Sequence, residues 1–199
     1  MSLPPGFEIR DLDTASMQKY LAEWSPKIFD DESLVLDVRS LLDEGERGSL
    51  RELAKNTEAH FSLNLGLFYG DEFCGWSVGA QSDYESYYMR NSAVLPQFRR
   101  RGLYRGMLNE VMQRLRGKGF QVVYSRHNAT NNPVIIPKLQ AGFVISALEI
   151  SDRFGTLVHL KYFFNQKRRE AMVFRSGDCR PSVQLAAALG VRADAFAAK

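Results

Sequence analysis

Seven basic side chains fall within residues 99–118 of this 199-residue chain, in a pattern suited to binding an anion. The same window contains a single acid, Glu110, and its basic residues are Arg99, Arg100, Arg101, Arg105, Arg114, Arg116 and Lys118. Arginine donates paired hydrogen bonds to phosphate oxygens. The three consecutive arginines followed by Gly102 therefore predict a phosphate site, although charge runs are also typical of a solvated helix face.

The elements around this cluster place it at the start of a helix. Residues 87–95 are aromatic, aliphatic and small, which predicts a strand, and Pro96 ends it because proline has no N–H to donate. Apolar residues then repeat at helical spacing from Leu103 to Leu115, and residues 120–126 predict the next strand. A basic turn between a strand and a helix brings unpaired helix N–H groups and positive charge together, where a phosphate can bind.

The motif around Gly102 is neither a Walker loop nor a dinucleotide fingerprint, since both GxxxxGK[ST] and GxGxxG are absent. Residues 94–108 (VLPQFRRRGLYRGML) instead resemble the acetyl-CoA-binding motif of the GNAT (Gcn5-related) N-acyltransferases, [QR]xxGx[GA]. Arg99 and Gly102 match it, whereas Tyr104 replaces the small residue. The resemblance implies that backbone N–H groups of residues 99–104 hold the CoA pyrophosphate while a strand pairs with the pantetheine arm. The residues expected to bind CoA here are Ala93, Val94, Leu95, Arg99, Arg100, Arg101, Gly102, Leu103 and Tyr104.

A second segment, residues 131–143 (NNPVIIPKLQAGF), resembles the later NxxAxxxYxxxGF segment of the same family. Asn131 falls at the expected spacing from the Gly-Phe pair and is expected to contact the cofactor. Lys138 stands where many relatives carry the tyrosine that protonates the departing CoA thiolate. We therefore expect Lys138 to contact a CoA phosphate instead.

The local signals of this segment predict a short helix. Asn132 is a plausible N-cap with Pro133 at the first helical position, and Gly142 is a terminating glycine. Pro137 removes a helical N–H, so the helix is expected to be short, kinked or late to start.

The rest of the chain predicts an α+β fold. Strands are expected at residues 61–69 and 73–81, which form a hairpin around Gly70 and Asp71, at 143–150 and 156–164, and at an edge over 7–12, with helices at 14–24 and 32–42. The resemblance implies a mixed, mostly antiparallel sheet of six to seven strands, flanked by helices and splayed at the acyl-CoA site. Residues 1–164 would form the catalytic domain, and 165–199 a basic and then alanine-rich extension.

The general base is not evident from the sequence. Many relatives carry a glutamate on the first motif strand, and Tyr88 occupies that position here, so Tyr88 is the predicted catalytic residue. His127 and Glu85 are alternatives. The early helices border the acceptor pocket in the resembled family, so nearby acids either attract a cationic amine or form a solvated face; they are Asp30, Asp31, Glu32, Asp37, Asp43 and Glu44.

These features predict an N-acetyltransferase that transfers an acetyl or related acyl group from acetyl-CoA to a primary amine. Cys74 lies within an apolar strand, so we expect direct attack in a ternary complex without a cysteine intermediate. The acceptor would be a small-molecule or peptide amine, and a homodimer is possible. A non-catalytic acyl-CoA-binding regulatory module is the alternative, and a nucleic-acid-binding protein is less favoured because no nucleic-acid motif accompanies the charge.

Composition limits the other functional classes. The chain has only two cysteines and a net charge of +3, so neither a disulfide framework nor a metal centre is expected, and a reducing cytoplasm fits best. No run of eighteen apolar residues exists, which argues against a membrane span.

Overall fold

A computed structural model describes residues 2–29, 38–55, 60–177 and 180–190. Seven strands form one open sheet: β1 (Phe7–Asp11), β2 (Ser62–Tyr69), β3 (Glu72–Gln81), β4 (Ser86–Val94), β5 (Val122–Asn128), β6 (Val144–Ser151) and β7 (Gly155–Phe163). Their order is β1-β2-β3-β4-β5-β7-β6. All neighbours are antiparallel except β4 and β5. The mixed, mostly antiparallel sheet predicted from the sequence is confirmed.

The described residues also form six α-helices, which are α1 (Thr14–Ile28), α2 (Glu44–Lys55), α3 (Leu103–Gly117), α4 (Asn132–Gln140), α5 (Gln166–Arg175) and α6 (Val183–Leu189). The Asp13 side chain caps α1 by accepting from the Ser16 N–H. Arg105 of α3 donates to the Gln140 side chain at the end of α4, which ties these two helices together. No helix in the described part of the chain is long and apolar enough to cross a membrane.

The sheet is splayed between its two parallel strands. β4 pairs with β5 only from Ser86 to Tyr88, opposite Val122 to Tyr124. Both strands continue past these pairs, to Val94 and Asn128. The edge of β4 that faces β5 therefore has no strand partner over its last residues, and a cleft opens there.

Helices pack on both faces of the sheet. On one face, α3 and α4 cover a cluster that includes Tyr87, Met89, Val123 and Leu160. The connections β4-α3-β5 and β5-α4-β6 each join two parallel strands, and both move toward the β6 edge of the sheet. Because such crossovers are right-handed, both helices lie on the same face. On the other face, α1 packs on aromatic rings of β2 and β3: Tyr20 stacks on Phe73 and meets Phe68 edge-on.

The early helices differ from the prediction. α1 extends four residues beyond the predicted end, through Pro26, to Ile28. Most of the helix predicted at 32–42 lies outside the described residues, and its described end is a 3-10 turn (Val38–Leu41). α2 was not predicted. It begins beside Asp43, whose side chain accepts from the Glu46 N–H while Glu46 accepts from the Asp43 N–H, which is a capping box.

The second motif helix starts one residue earlier than predicted. Asn131, not Asn132, is the N-cap of α4. Its carbonyl accepts from the N–H groups of Val134 and Ile135, so Pro133 is the second residue of the helix rather than the first. Pro137 lies inside the nine-residue helix, so it does not delay the start. The helix is short, as expected.

Candidate active site

The basic turn, Arg99 to Gly102, links the end of β4 to α3 through a short 3-10 helix (Pro96–Phe98). Arg99 Nε donates to the Val94 carbonyl at 3.0 Å, which fastens the turn to the last residue of β4. Arg101 lies over the Phe98 ring at 5.7 Å. Arg99, Arg100, Arg101 and Gly102 are all exposed. The Arg99 N–H, which was expected to bind the pyrophosphate, instead donates to the Pro96 carbonyl at 3.2 Å.

Two residues of the basic turn have left-handed backbone conformations. Arg100 has a φ of 62° and Gly102 a φ of 77°. Among the described non-glycine residues, Arg100 alone has a positive φ, and such conformations cluster at functional sites. Gly102 is the N-cap of α3, and no side chain caps this helix start. The first N–H groups of α3 are therefore left for an anion.

The space in front of Gly102 is open. A Cβ built at this position would meet no heavy atom within 4 Å. A phosphate could approach the backbone there, where three arginines and a helix N-terminus supply positive potential. The turn thus fits the pyrophosphate of a nucleotide-containing ligand.

The predicted pantetheine-binding residues lie at the end of β4. Ala93, Val94 and Leu95 are buried, and β3 occupies one edge of this stretch. Their other edge lies along the cleft where β5 has diverged. An extended ligand could add to this free edge as a strand would.

A buried lysine chain, consisting of Lys138, Ser125 and His127, lies on the α3 and α4 side of the cleft. Lys138 is 1% exposed, and its Nζ donates to Ser125 Oγ at 2.7 Å. His127 Nε2 is 2.9 Å from the same hydroxyl. The phosphate contact expected of Lys138 does not fit this placement, because its amine is enclosed rather than at the basic turn. Asn131 is half-buried at the start of α4.

Burial sets the protonation states of the side chains in the buried lysine chain. It lowers the pKa of Lys138 to about 7, and with a smaller contribution from Lys138 it lowers the pKa of His127 to about 3. His127 is then neutral near pH 7 and is poorly suited to carry a proton. Lys138 instead titrates in the physiological range, which is typical of functional lysines.

An outer-face network, Tyr88, Arg126, Glu149 and His159, lies on the opposite face of the same strands. Tyr88 and Tyr87 point to opposite sides because side chains alternate along a strand. Arg126 Nε donates to the Tyr88 hydroxyl oxygen at 3.2 Å, and Arg126 also contacts Glu149 at 3.3 Å. His159 Nε2 is 2.5 Å from the second Glu149 oxygen. The hydrogen bonds from His159 and Arg126 lower the pKa of Glu149.

The other predicted candidates are engaged elsewhere. Arg168 of α5 donates two hydrogen bonds to Glu85, which lower the pKa of that carboxyl and hold it in an ion pair. Asp43 caps α2 and Glu44 pairs with Arg51. The remaining acids predicted near the acceptor, Asp30, Asp31, Glu32 and Asp37, lie outside the described residues.

The prediction missed four residues that the structure places in these networks: Ser125, Arg126, Glu149 and His159. A signal for Ser125 was present, because it alternates with Val123 and His127 on the face that α4 covers. The contact between Arg126 and Glu149 crosses an intervening strand, β7, and has no local signal. Within the described residues, no group of three or more potential metal ligands comes together.

Comparison with known proteins gives a family match. The sequence profile of the Acetyltransferase (GNAT) family matches residues 17–136, which is more than half of the chain. A search of curated protein sequences found no match.

Solved structures share the fold. The ribosomal-protein-S18-alanine N-acetyltransferase from Escherichia coli superposes with a TM-score of 0.55 at 16% identity, covering 80% of this chain and 95% of its own. A GNAT family acetyltransferase from Elizabethkingia anophelis with acetyl-CoA bound has a TM-score of 0.56 at 13% identity, with 81% and 100% covered. The ribosomal-protein-alanine N-acetyltransferase from Brucella melitensis has a TM-score of 0.57 at 18% identity, with 79% and 99% covered.

Proposed function

Because the chain belongs to the GNAT family of acetyltransferases, we propose that it transfers an acetyl group from acetyl-CoA to the primary amine of a small molecule or peptide. The observation that carries this proposal is the uncapped start of α3 at Gly102, beside a strand edge that β5 leaves free. A CoA ester requires a site for its phosphates, which the start of α3 offers, and a site for its extended pantetheine arm, which the free edge of β4 offers. The Elizabethkingia anophelis relative, which binds acetyl-CoA, supports the same ligand.

The donor would lie along residues 93–104. Leu103 and Tyr104, with Arg100, Arg101 and Gly102, would present N–H groups to the pyrophosphate. Ala93, Val94 and Leu95 would pair with the pantetheine arm, and Asn131 would lie beside it at the start of α4. This path directs the thioester into the cleft between β4 and β5, where the buried lysine chain and the outer-face network lie on opposite faces.

The reaction would proceed by direct attack. The amine nitrogen forms a bond to the thioester carbonyl carbon, the carbon–sulfur bond breaks, the nitrogen loses a proton and the CoA thiolate gains one. Tyr88, on the outer face, is proposed to hold through its hydroxyl an ordered water that carries the amine proton to solvent. A charged acceptor would meet Arg126 and Glu149 next to Tyr88.

Release of free CoA thiol in the presence of acetyl-CoA and a panel of amines tests this proposal. Polyamines, amino acids, aminoglycosides and peptides cover the acceptor classes. We expect thiol release with at least one of them, and acetylated product by mass spectrometry. Tight CoA binding without turnover on any amine would instead indicate a regulatory module. The observation on the side of this alternative is that Glu85 and Glu149, two carboxylates that could act as a base, are both held in ion pairs with arginines.

Turnover should not depend on a cysteine. Cys74 is 0% exposed, and burial raises the pKa of its thiol, so the thiolate nucleophile is disfavoured. Cys74→Ala should retain turnover within a few-fold and lose about 1 kcal/mol of stability through a small cavity. Cys179→Ala, a change in the basic extension outside the described residues, is the matched control.

Initial-rate patterns provide a second measurement for this prediction. Intersecting lines are expected, because both substrates must be bound before the acyl group moves. Parallel lines, or an acetyl group trapped on Cys74, would contradict direct transfer.

A further inference from the structure

Side chains join β4 and β5 just beyond their last backbone pair. Tyr88 and Tyr124 form that pair, so Met89 and Ser125 are the next residues on the two strands. The Lys138 amine contacts both of them, at 2.7 Å from Ser125 Oγ and 3.6 Å from Met89 Sδ. These distances place the amine at the vertex of the cleft, where the two strands begin to separate.

The vertex is filled on the face of the sheet that α3 and α4 cover. Met89, Ser125 and Lys138, which we call the vertex cluster, are 4%, 0% and 1% exposed. The Lys138 amine also lies 5.2 Å from the centre of the Phe143 ring, so residues on both sides of the cleft and beyond α4 hold it. Because these side chains exclude solvent, a group that moves along the cleft can pass the vertex cluster only by displacing it.

The outer face of the vertex is covered as well. The rings of Tyr88 and Tyr124 stack with their centres 4.9 Å apart. Arg126 reaches from β5 to β4, where its Nε donates to the Tyr88 hydroxyl oxygen and its Cζ lies 5.2 Å from the centre of the Tyr88 ring. The cleft therefore ends between two layers of side chains.

The path proposed for the acyl donor leads to this vertex. The basic turn follows the end of β4, and the stretch of β4 without a β5 partner runs from there back to Met89. A CoA ester with its phosphates at Gly102 and its pantetheine arm along this stretch directs its thioester toward the vertex cluster. Each methylene added to the acyl group brings the end of the chain closer to these buried side chains.

Building on the proposed function, we propose that the vertex cluster determines the length of the acyl group that the protein accepts and limits it to acetyl. The selection is steric. A propionyl or butyryl chain must displace buried atoms of Met89 or Lys138, and overpacking a filled site is unfavourable. Lys138 then determines donor specificity through the space that it fills, whereas the sequence predicted a phosphate contact for it.

Titration calorimetry with acetyl-CoA and butyryl-CoA tests this limit. The wild type should bind butyryl-CoA at least about tenfold more weakly than acetyl-CoA, because two added methylenes overpack the vertex. Lys138→Ala should bind butyryl-CoA at least as tightly as acetyl-CoA. The shorter side chain leaves room for the added methylenes, and burying each of them strengthens binding about fourfold.

Three further variants separate the filling of the vertex from other effects. Lys138→Met removes the amine but fills a similar volume, so it should keep the wild-type preference for acetyl-CoA. Met89→Ala opens the vertex from β4 with the lysine in place, and it should relax the preference in the same direction as Lys138→Ala. Met17→Ala shortens a comparably buried methionine on α1 and should keep the wild-type preference.

Equal affinity of the wild type for the two esters would overturn the inference. A wild-type preference retained in both Lys138→Ala and Met89→Ala would overturn it too, and so would an equal relaxation in Met17→Ala, which would indicate a general loosening of the core. A wild-type protein that binds neither ester would show instead that the proposed function itself is wrong.

Discussion

Replacing Gly102 with aspartate should weaken acetyl-CoA binding by more than tenfold, equivalent to about 1.4 kcal/mol. The residue is the uncapped N-cap of α3, with a φ of 77° and open space where a side chain would project. An aspartate carboxylate would accept from the same N–H groups that the pyrophosphate uses. It would also place a negative charge against the phosphates, inside the potential that the three arginines create.

Matched variants separate charge from backbone strain. Gly102→Asn has nearly the same size as the aspartate and tolerates a positive φ comparably, but it adds no charge, so it should weaken binding less. Gly70 has a φ of 58° and equally open surroundings in the β2–β3 turn. Gly70→Asp should therefore lower the stability of the protein about as much as Gly102→Asp does, while its CoA affinity should equal that of the wild type. Calorimetry that finds equal affinity for wild type and Gly102→Asp would remove the basic turn as the phosphate site.

The second large effect concerns Lys138, whose burial should make the stability of the protein depend on pH. Burial lowers its pKa from 10.5 to about 7, so between these values the unfolded chain binds more protons than the folded one. Stability then increases as the pH rises through this window. The expected gain between pH 6 and pH 9 is about 2 to 3 kcal/mol, taking about 1.4 kcal/mol per unit of pKa difference.

Lys138→Met should remove this dependence. Methionine fills a similar volume without a charge, so the variant should be more stable than the wild type at pH 6, by an amount on the order of a few kcal/mol. Denaturant unfolding at several pH values provides the measurement. Lys167→Met, on an exposed position of α5, is the control and should keep the wild-type slope. A variant that is less stable than wild type at pH 6 would mean that the ammonium is well solvated in the folded protein.

The basic turn and its flanking elements could be predicted from the sequence because their determinants are local. Pro96 cannot continue a strand, Gly102 accepts a positive φ, and α3 shows its period within fifteen residues. The capping box of Asp43 and Glu46 is an equally local signal for the start of α2. The helix was not predicted, because its sequence contains few apolar residues at helical spacing. The start of α4 was misplaced by one residue because Asn131 and Asn132 have the same capping chemistry.

Only the tertiary structure decided what surrounds Lys138 and Tyr88. The sequence contains no signal that α4 turns Lys138 into the core, where Ser125, thirteen positions earlier, accepts a hydrogen bond from its amine. Arg126 reaches Glu149 only because β7 lies between β5 and β6. The register of β5 on β7 and of β6 on β7 brings these two side chains to the same level of the sheet. These contacts depend on strand order and burial, which the whole core determines, whereas a turn or a helix start depends on the few residues that form it.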